Sequence, residues 1–87
     1  YSLRYLPGPI LAFSIMENNT LKAQLGANVA ELRTGAGVSK TTFALMVGVS
    51  RPYLAAIERG TANPTVDVLE RIADGLETSV GELFGER

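Results

Sequence analysis

Between Ser39 and Gly60 lie two segments of helix length, each opened by a serine and closed by a glycine, with only Gly48 and Val49 separating them. A serine before a first turn accepts a hydrogen bond from a backbone amide, and a glycine after a last turn takes the left-handed conformation that stops a helix. Two short helices, Lys40 to Val47 and Arg51 to Arg59, are therefore expected to meet at a tight angle. Phe43, Ala44 and Val47 share one face of the first, and Leu54 and Ile57 share one face of the second. Pro52 is tolerated because it sits in a first turn. Ala44 is small where the helices cross, Gly48 is free to take a positive φ, and Val49 is placed to fill the angle.

Three further helices are expected on the same logic. Leu21, Leu25, Val29 and Leu32 recur at three- and four-residue spacing, with Thr20 as cap and Gly35 and Gly37 as stops. Thr65 caps a fourth helix that places Val68, Leu69, Ile72, Ala73 and Leu76 on one side. Ser79-Val80-Gly81-Glu82 has the form of a capping box and opens a short fifth helix contributing Leu83 and Phe84. The expected fold is all-α, five helices with a helix-turn-helix at helices 2 and 3. By helix spacing alone a plain αα-hairpin within a bundle fits equally well.

Composition narrows the chemistry. At 87 residues the chain supports one core, and its 46% apolar content is that of a folding chain. Without Cys or His there is no disulfide, thiol nucleophile, imidazole base or zinc site of the usual ligands. No metal and no cofactor are expected. The formal charge of -1 conceals a gradient. Residues 1–32 are balanced, whereas Arg33, Lys40, Arg51 and Arg59 outweigh Glu58 between residues 33 and 60. In residues 61–87, Asp67, Glu70, Asp74, Glu77, Glu82 and Glu86 outweigh Arg71 and Arg87. The basic middle suits a local anion-binding face, while the overall balance argues against strong nonspecific nucleic-acid binding.

Residues 1–15 differ from the rest, with prolines around Gly8 and an apolar run from Ile10 to Phe13. They read either as an N-terminal arm, a short strand at a dimer edge, or as an extension preceding a natural start at Met16. Residues 16–87 then form the helix-turn-helix domain. The apolar run is too short for a membrane span, no targeting segment is read, and a cytoplasmic, nucleoid-associated protein is expected.

The stretch Val38-Ser-Lys-Thr-Thr-Phe-Ala-Leu-Met-Val-Gly-Val-Ser-Arg-Pro-Tyr-Leu-Ala-Ala-Ile-Glu-Arg-Gly60 resembles the Cro and lambda-repressor type of helix-turn-helix regulator. The likeness runs from about Leu25 to Phe84, and within it the chain looks most similar to small stand-alone regulators, including restriction-modification controller proteins. The resemblance implies a homodimer binding double-stranded DNA at a short palindrome, and no enzymatic activity. It places Ser50, Arg51, Pro52, Ala55 and Ala56 against the major groove. Arg51 is the favoured base reader, its alternative being a phosphate clamp, and the alanine methyls suit thymine methyl groups. Ser39, Lys40, Thr41, Tyr53 and Arg59 are the implied phosphate contacts, helped by amides at the start of helix 2. The Tyr53 ring alternatively packs on helix 2, and Arg59 alternatively complements its own helix dipole. Arg33 and Glu58 are implied to form a structural ion pair, their alternative being two unrelated surface charges, and Val80, Leu83 and Phe84 a dimer interface, Leu83 more than Phe84 alternatively closing the monomer core. Pro52, Ala55 and Ala56 depart from commoner members, which often carry hydrogen-bonding side chains there.

Two other classes compete with this reading. A protein-interaction module, antitoxin-like, would use residues 1–15 or the acidic helices on a protein partner. A small hydrolase using Asp67, Glu70 and Asp74 is disfavoured, because carboxylates at that spacing ordinarily form a solvated helix face.

Overall fold

The computed structural model describes residues 20–85. Five helices succeed one another: α1 (Leu21–Gly35), α2 (Lys40–Val47), α3 (Arg51–Arg59), α4 (Val66–Gly75) and α5 (Val80–Leu83). Among the described residues there is no strand. The arm expected at residues 1–15 lies outside them, as do Glu86 and Arg87.

Each helix begins as its cap residue dictates. Thr20, Ser39, Ser50 and Thr65 accept the amides of Ala23, Thr42, Tyr53 and Val68 at 3.1 to 3.2 Å. At α5 the capping box is complete, with Glu82 N donating to Ser79 Oγ at 3.1 Å and Ser79 N donating to Glu82 Oε1 at 3.0 Å. The first four helices also end alike. The amides of Val38, Val49, Thr61 and Thr78 reach back to the carbonyls of Arg33, Ala44, Ala56 and Ala73. This bond requires a left-handed residue just before it, supplied by Gly37, Gly48 and Gly60 and, at the end of α4, by Glu77 with φ 57°.

Phe43, Leu54, Ile57, Ile72, Leu83 and Val29 are the largest fully enclosed side chains. They come from all five helices, so no subset of elements closes the core alone. α1 packs chiefly on α3, α2 on α3 and α4, and α5 closes against α1 and α4. The α1–α3 contact is close enough to require a residue without a side chain. A Cβ on Gly26 would stand 2.5 Å from the carbonyl oxygens of both Ile57 and Glu58, which are backbone atoms unable to yield without moving α3.

One core expectation fails. Leu21 is 65% exposed at the first helical position, and among the described residues no element covers it. Leu25, Val29, Phe43, Ala44, Val47, Leu54, Ile57, Val68, Leu69, Ile72 and Ala73 are buried, with Leu32, Val49 and Leu76 packed against them.

Candidate nucleic-acid interface

The α2–α3 pair is held from behind by a buried ion pair. Arg33 Nε donates to Glu58 Oε2 at 2.7 Å and Arg33 Nη2 to Glu58 Oε1 at 3.1 Å, a two-pronged contact, while Nη1 donates to the Val38 carbonyl at 2.8 Å. Both side chains are below a tenth exposed. Hydrogen bonding to Glu58 raises the Arg33 pKa; burial opposes the rise and the Glu58 charge adds to it. Since the shift is upward, the stabilisation contributed by Arg33's own proton is fully present below the ordinary arginine value and is lost as pH rises above it. The pair ties the last turn of α1 to the last turn of α3 and fixes how far α3 stands off the core.

Neutralising Arg33 and Glu58 against each other leaves Lys40, Arg51 and Arg59 as the outward charges of α2 and α3. Arg51 is exposed at the first position of α3, and Pro52 beside it is exposed as well. Ser50 Oγ is occupied as an acceptor of the Tyr53 amide, which leaves its hydroxyl hydrogen to donate outward. Ala55 and Ala56 are half-buried, and the Ala56 carbonyl is taken by Thr61 through both its amide and its hydroxyl. At the 3.6-residue period Pro52, Ala56 and Arg59 lie opposite Leu54 and Ile57, away from the core.

At the start of α2, Ser39 accepts the Thr42 amide and its own hydroxyl donates to Thr42 Oγ1 at 3.1 Å. The amides of Lys40 and Thr41 precede any intrahelical acceptor and face out of the helix end. Lys40 is half-buried and Thr41 exposed. Tyr53 is half-buried against the core, and Arg59 is exposed in the last turn of α3, where its charge complements the helix dipole.

Of the residues expected at a dimer contact, Leu83 must be withdrawn. It is fully enclosed, and its carbonyl accepts Asn28 Nδ2 at 2.9 Å, so it closes the monomer. Val80 and Phe84 remain half-buried and present surface. Asp67, Glu70 and Asp74 are exposed along α4, as the solvated-face reading requires.

Two positioning features went unassigned in the sequence. Gly26 reads locally as a helix-weakening residue, and its partners stand over thirty positions away in the chain. Arg71, on α4, donates from Nη1 to the Val47 carbonyl at 3.0 Å, a contact with no counterpart in local patterning.

Residues 29–83, from the middle of α1 to the end of α5, match the sequence profile of the family described as Helix-turn-helix. The chain belongs to the helix-turn-helix family. It is 41% identical over 59 residues to an uncharacterized HTH-type transcriptional regulator of Mycobacterium tuberculosis, covering 68% of this chain and 42% of that protein. It is 32% identical over 69 residues to the control protein C.MunI of a Mycoplasma species, covering 78% of this chain and 93% of that protein. Among solved structures, the restriction-modification controller protein C.AhdI from Aeromonas hydrophila superposes with a TM-score of 0.69 at 32% identity, covering 71% of this chain and 94% of that one. The chain thus spans well under half the length of the mycobacterial relative and nearly all of the controller proteins. This helix-turn-helix domain shares its five-helix, lambda-repressor-like architecture with those regulators. Among its described residues no helix is long and apolar enough to cross a membrane.

Proposed function

We propose that this helix-turn-helix protein is a non-enzymatic, sequence-specific transcriptional regulator that binds a short palindromic DNA operator as a homodimer. The observation that carries the reading is the outward charge of α2 and α3. The only carboxylate on the pair, Glu58, is consumed by Arg33, so that the exposed Arg51 and Arg59 and the half-buried Lys40 are unopposed on these two helices. In the proposed mechanism Arg51 enters the major groove and bonds bidentately to guanine O6 and N7, with the Ser50 hydroxyl and the Ala55 and Ala56 methyls alongside. Ser39, Lys40, Thr41, Tyr53 and Arg59 hold phosphates on either side, which sets register without reading sequence. Val80 and Phe84 pack across a two-fold axis, and the two α3 helices reach successive major grooves about 34 Å apart.

The test is selection of random duplex DNA by the purified protein at roughly 50 and 200 mM salt, followed by sequencing of the DNA that stays bound. An enriched inverted repeat with half-sites one helical turn apart is expected. No enrichment at either salt overturns the reading in favour of a protein-interaction module.

A further inference from the structure

We propose that Arg71, on α4, is a positioning residue for the recognition helix: it clamps the turn between α2 and α3 and thereby sets the angle at which α3 meets DNA. The inference rests on the DNA-binding reading above and adds to it a residue that never touches the nucleic acid.

The C-terminal end of α2 needs an outside donor. The last carbonyls of a helix have no intrahelical partner, and a cation there is favoured by the helix dipole. α1 and α3 each carry an arginine in the last turn, Arg33 and Arg59, but α2 has no basic residue in its own. The Ala44 carbonyl is taken by the amides of Gly48 and Val49. The Val47 carbonyl, one residue before the turn glycine, is taken by Arg71 Nη1 at 3.0 Å across the α2–α4 contact. That contact is itself close, since a Cβ on Gly75 of α4 would stand 3.0 Å from Phe43 and 3.1 Å from Val47.

Gly48 therefore meets two demands at once. Its φ of 76° turns the chain from α2 into α3, and a Cβ there would lie 2.8 Å from Arg71 Nη1. The missing side chain leaves the space that the guanidinium occupies. The peptide that Arg71 holds is the one that leads into Gly48, and rotation about Gly48 swings Ser50 and Arg51 together. A clamp at this point restricts that rotation.

The experiment measures binding of the full chain and its Arg71 variants to two duplexes of roughly 25 base pairs, long enough for two half-sites one turn apart. One carries the sequence enriched by the selection and the other is of random sequence. Arg71→Met is expected to weaken binding to the enriched duplex about tenfold, as loss of one charge-assisted hydrogen bond predicts, and to change binding to the random duplex by less than about twofold. The slope of log affinity against log salt stays at the wild-type value, and Arg71→Lys, which keeps a donor and a charge, restores most of the affinity. A slope reduced by about one overturns the proposal, because it makes Arg71 a phosphate contact. Equal losses on both duplexes, or unchanged affinity of Arg71→Met for the enriched duplex, overturn it as well. Wild-type protein that binds neither duplex overturns the DNA-binding reading itself, an outcome distinct from all of these.

Discussion

Three times a left-handed residue, a residue bonded back to the helix just ended and a capping serine succeed one another, after α1, α2 and α4, and the later two of these turns are put to different use. Gly48-Val49-Ser50 leads from α2 into α3, and Glu77-Thr78-Ser79 leads from α4 into α5. In each, a left-handed residue is succeeded by one whose amide reaches back to a carbonyl of the helix just ended, Ala44 or Ala73, and then by a serine that caps the next helix. The helices beyond the two turns differ. The first turn opens a nine-residue helix with Arg51 and Arg59 exposed. The second opens a four-residue helix whose Leu83 is wholly enclosed, beside the exposed carboxylates of α4. A tight turn between two helices is thus a packing solution, and the side chains carried outward beyond it decide whether the pair can face a polyanion.

The strongest challenge to this contrast is Glu58→Ala. It leaves Arg33 buried without its partner, and the folded state should lose about 3 to 5 kcal/mol, read from urea unfolding, with DNA binding lost in proportion. If stability holds and binding alone falls, α3 is not tied down from α1 in the way the ion pair suggests. Next in size, Arg51→Ala should weaken binding to the selected operator by about 1 to 3 kcal/mol, with far less effect on random duplex and a thermal midpoint near that of the wild type. An equal loss on both duplexes makes Arg51 a phosphate clamp.

The two turn residues give smaller effects of opposite sign. Gly48→Ala places a Cβ in the left-handed region and should cost about 1 to 2 kcal/mol of stability. Glu77→Gly removes that strain from the second turn, at the expense of a looser unfolded chain, and should raise stability by about 0.5 to 1 kcal/mol while leaving DNA affinity unchanged. A loss of stability in Glu77→Gly would show that the glutamate does more in its turn than tolerate the backbone.

Sequence reading recovered whatever is encoded within a turn or two of chain. The five caps, the glycine stops and the inward faces of α2 to α4 are short-range facts, set by hydroxyl acceptors, left-handed conformations and helical period. The misses have physical reasons. Leu21 satisfies the helical period, but none of the described elements lies over it. Glu77 escapes because glutamate carries no turn signal; it is left-handed because the Thr78 amide and the α5 cap require it. Gly26 and Arg71 act on residues 24 or more positions away, where local periodicity has nothing to say. At the candidate site, Arg51 is exposed because it is the first residue of α3, whereas its three-residue offset from Leu54 would by period alone set it toward the inward side. That Leu83 seals the core while Phe84 keeps a surface was open to reading only as an alternative to a dimer contact, stronger for Leu83, because adjacent apolar residues at the end of a short helix look alike until packed.

The reach of α1 has a consequence for how the protein is made. Its partners come late in the chain: Glu58 lies 25 residues beyond Arg33, and Leu83 lies 55 beyond Asn28. On the ribosome α1 therefore waits, its Gly26 face bare until α3 emerges and its Asn28 amide unclaimed by Leu83 until α5 does. A message broken before the codon for Leu83 yields a polypeptide that carries all of α3 over an open core, a natural target for degradation.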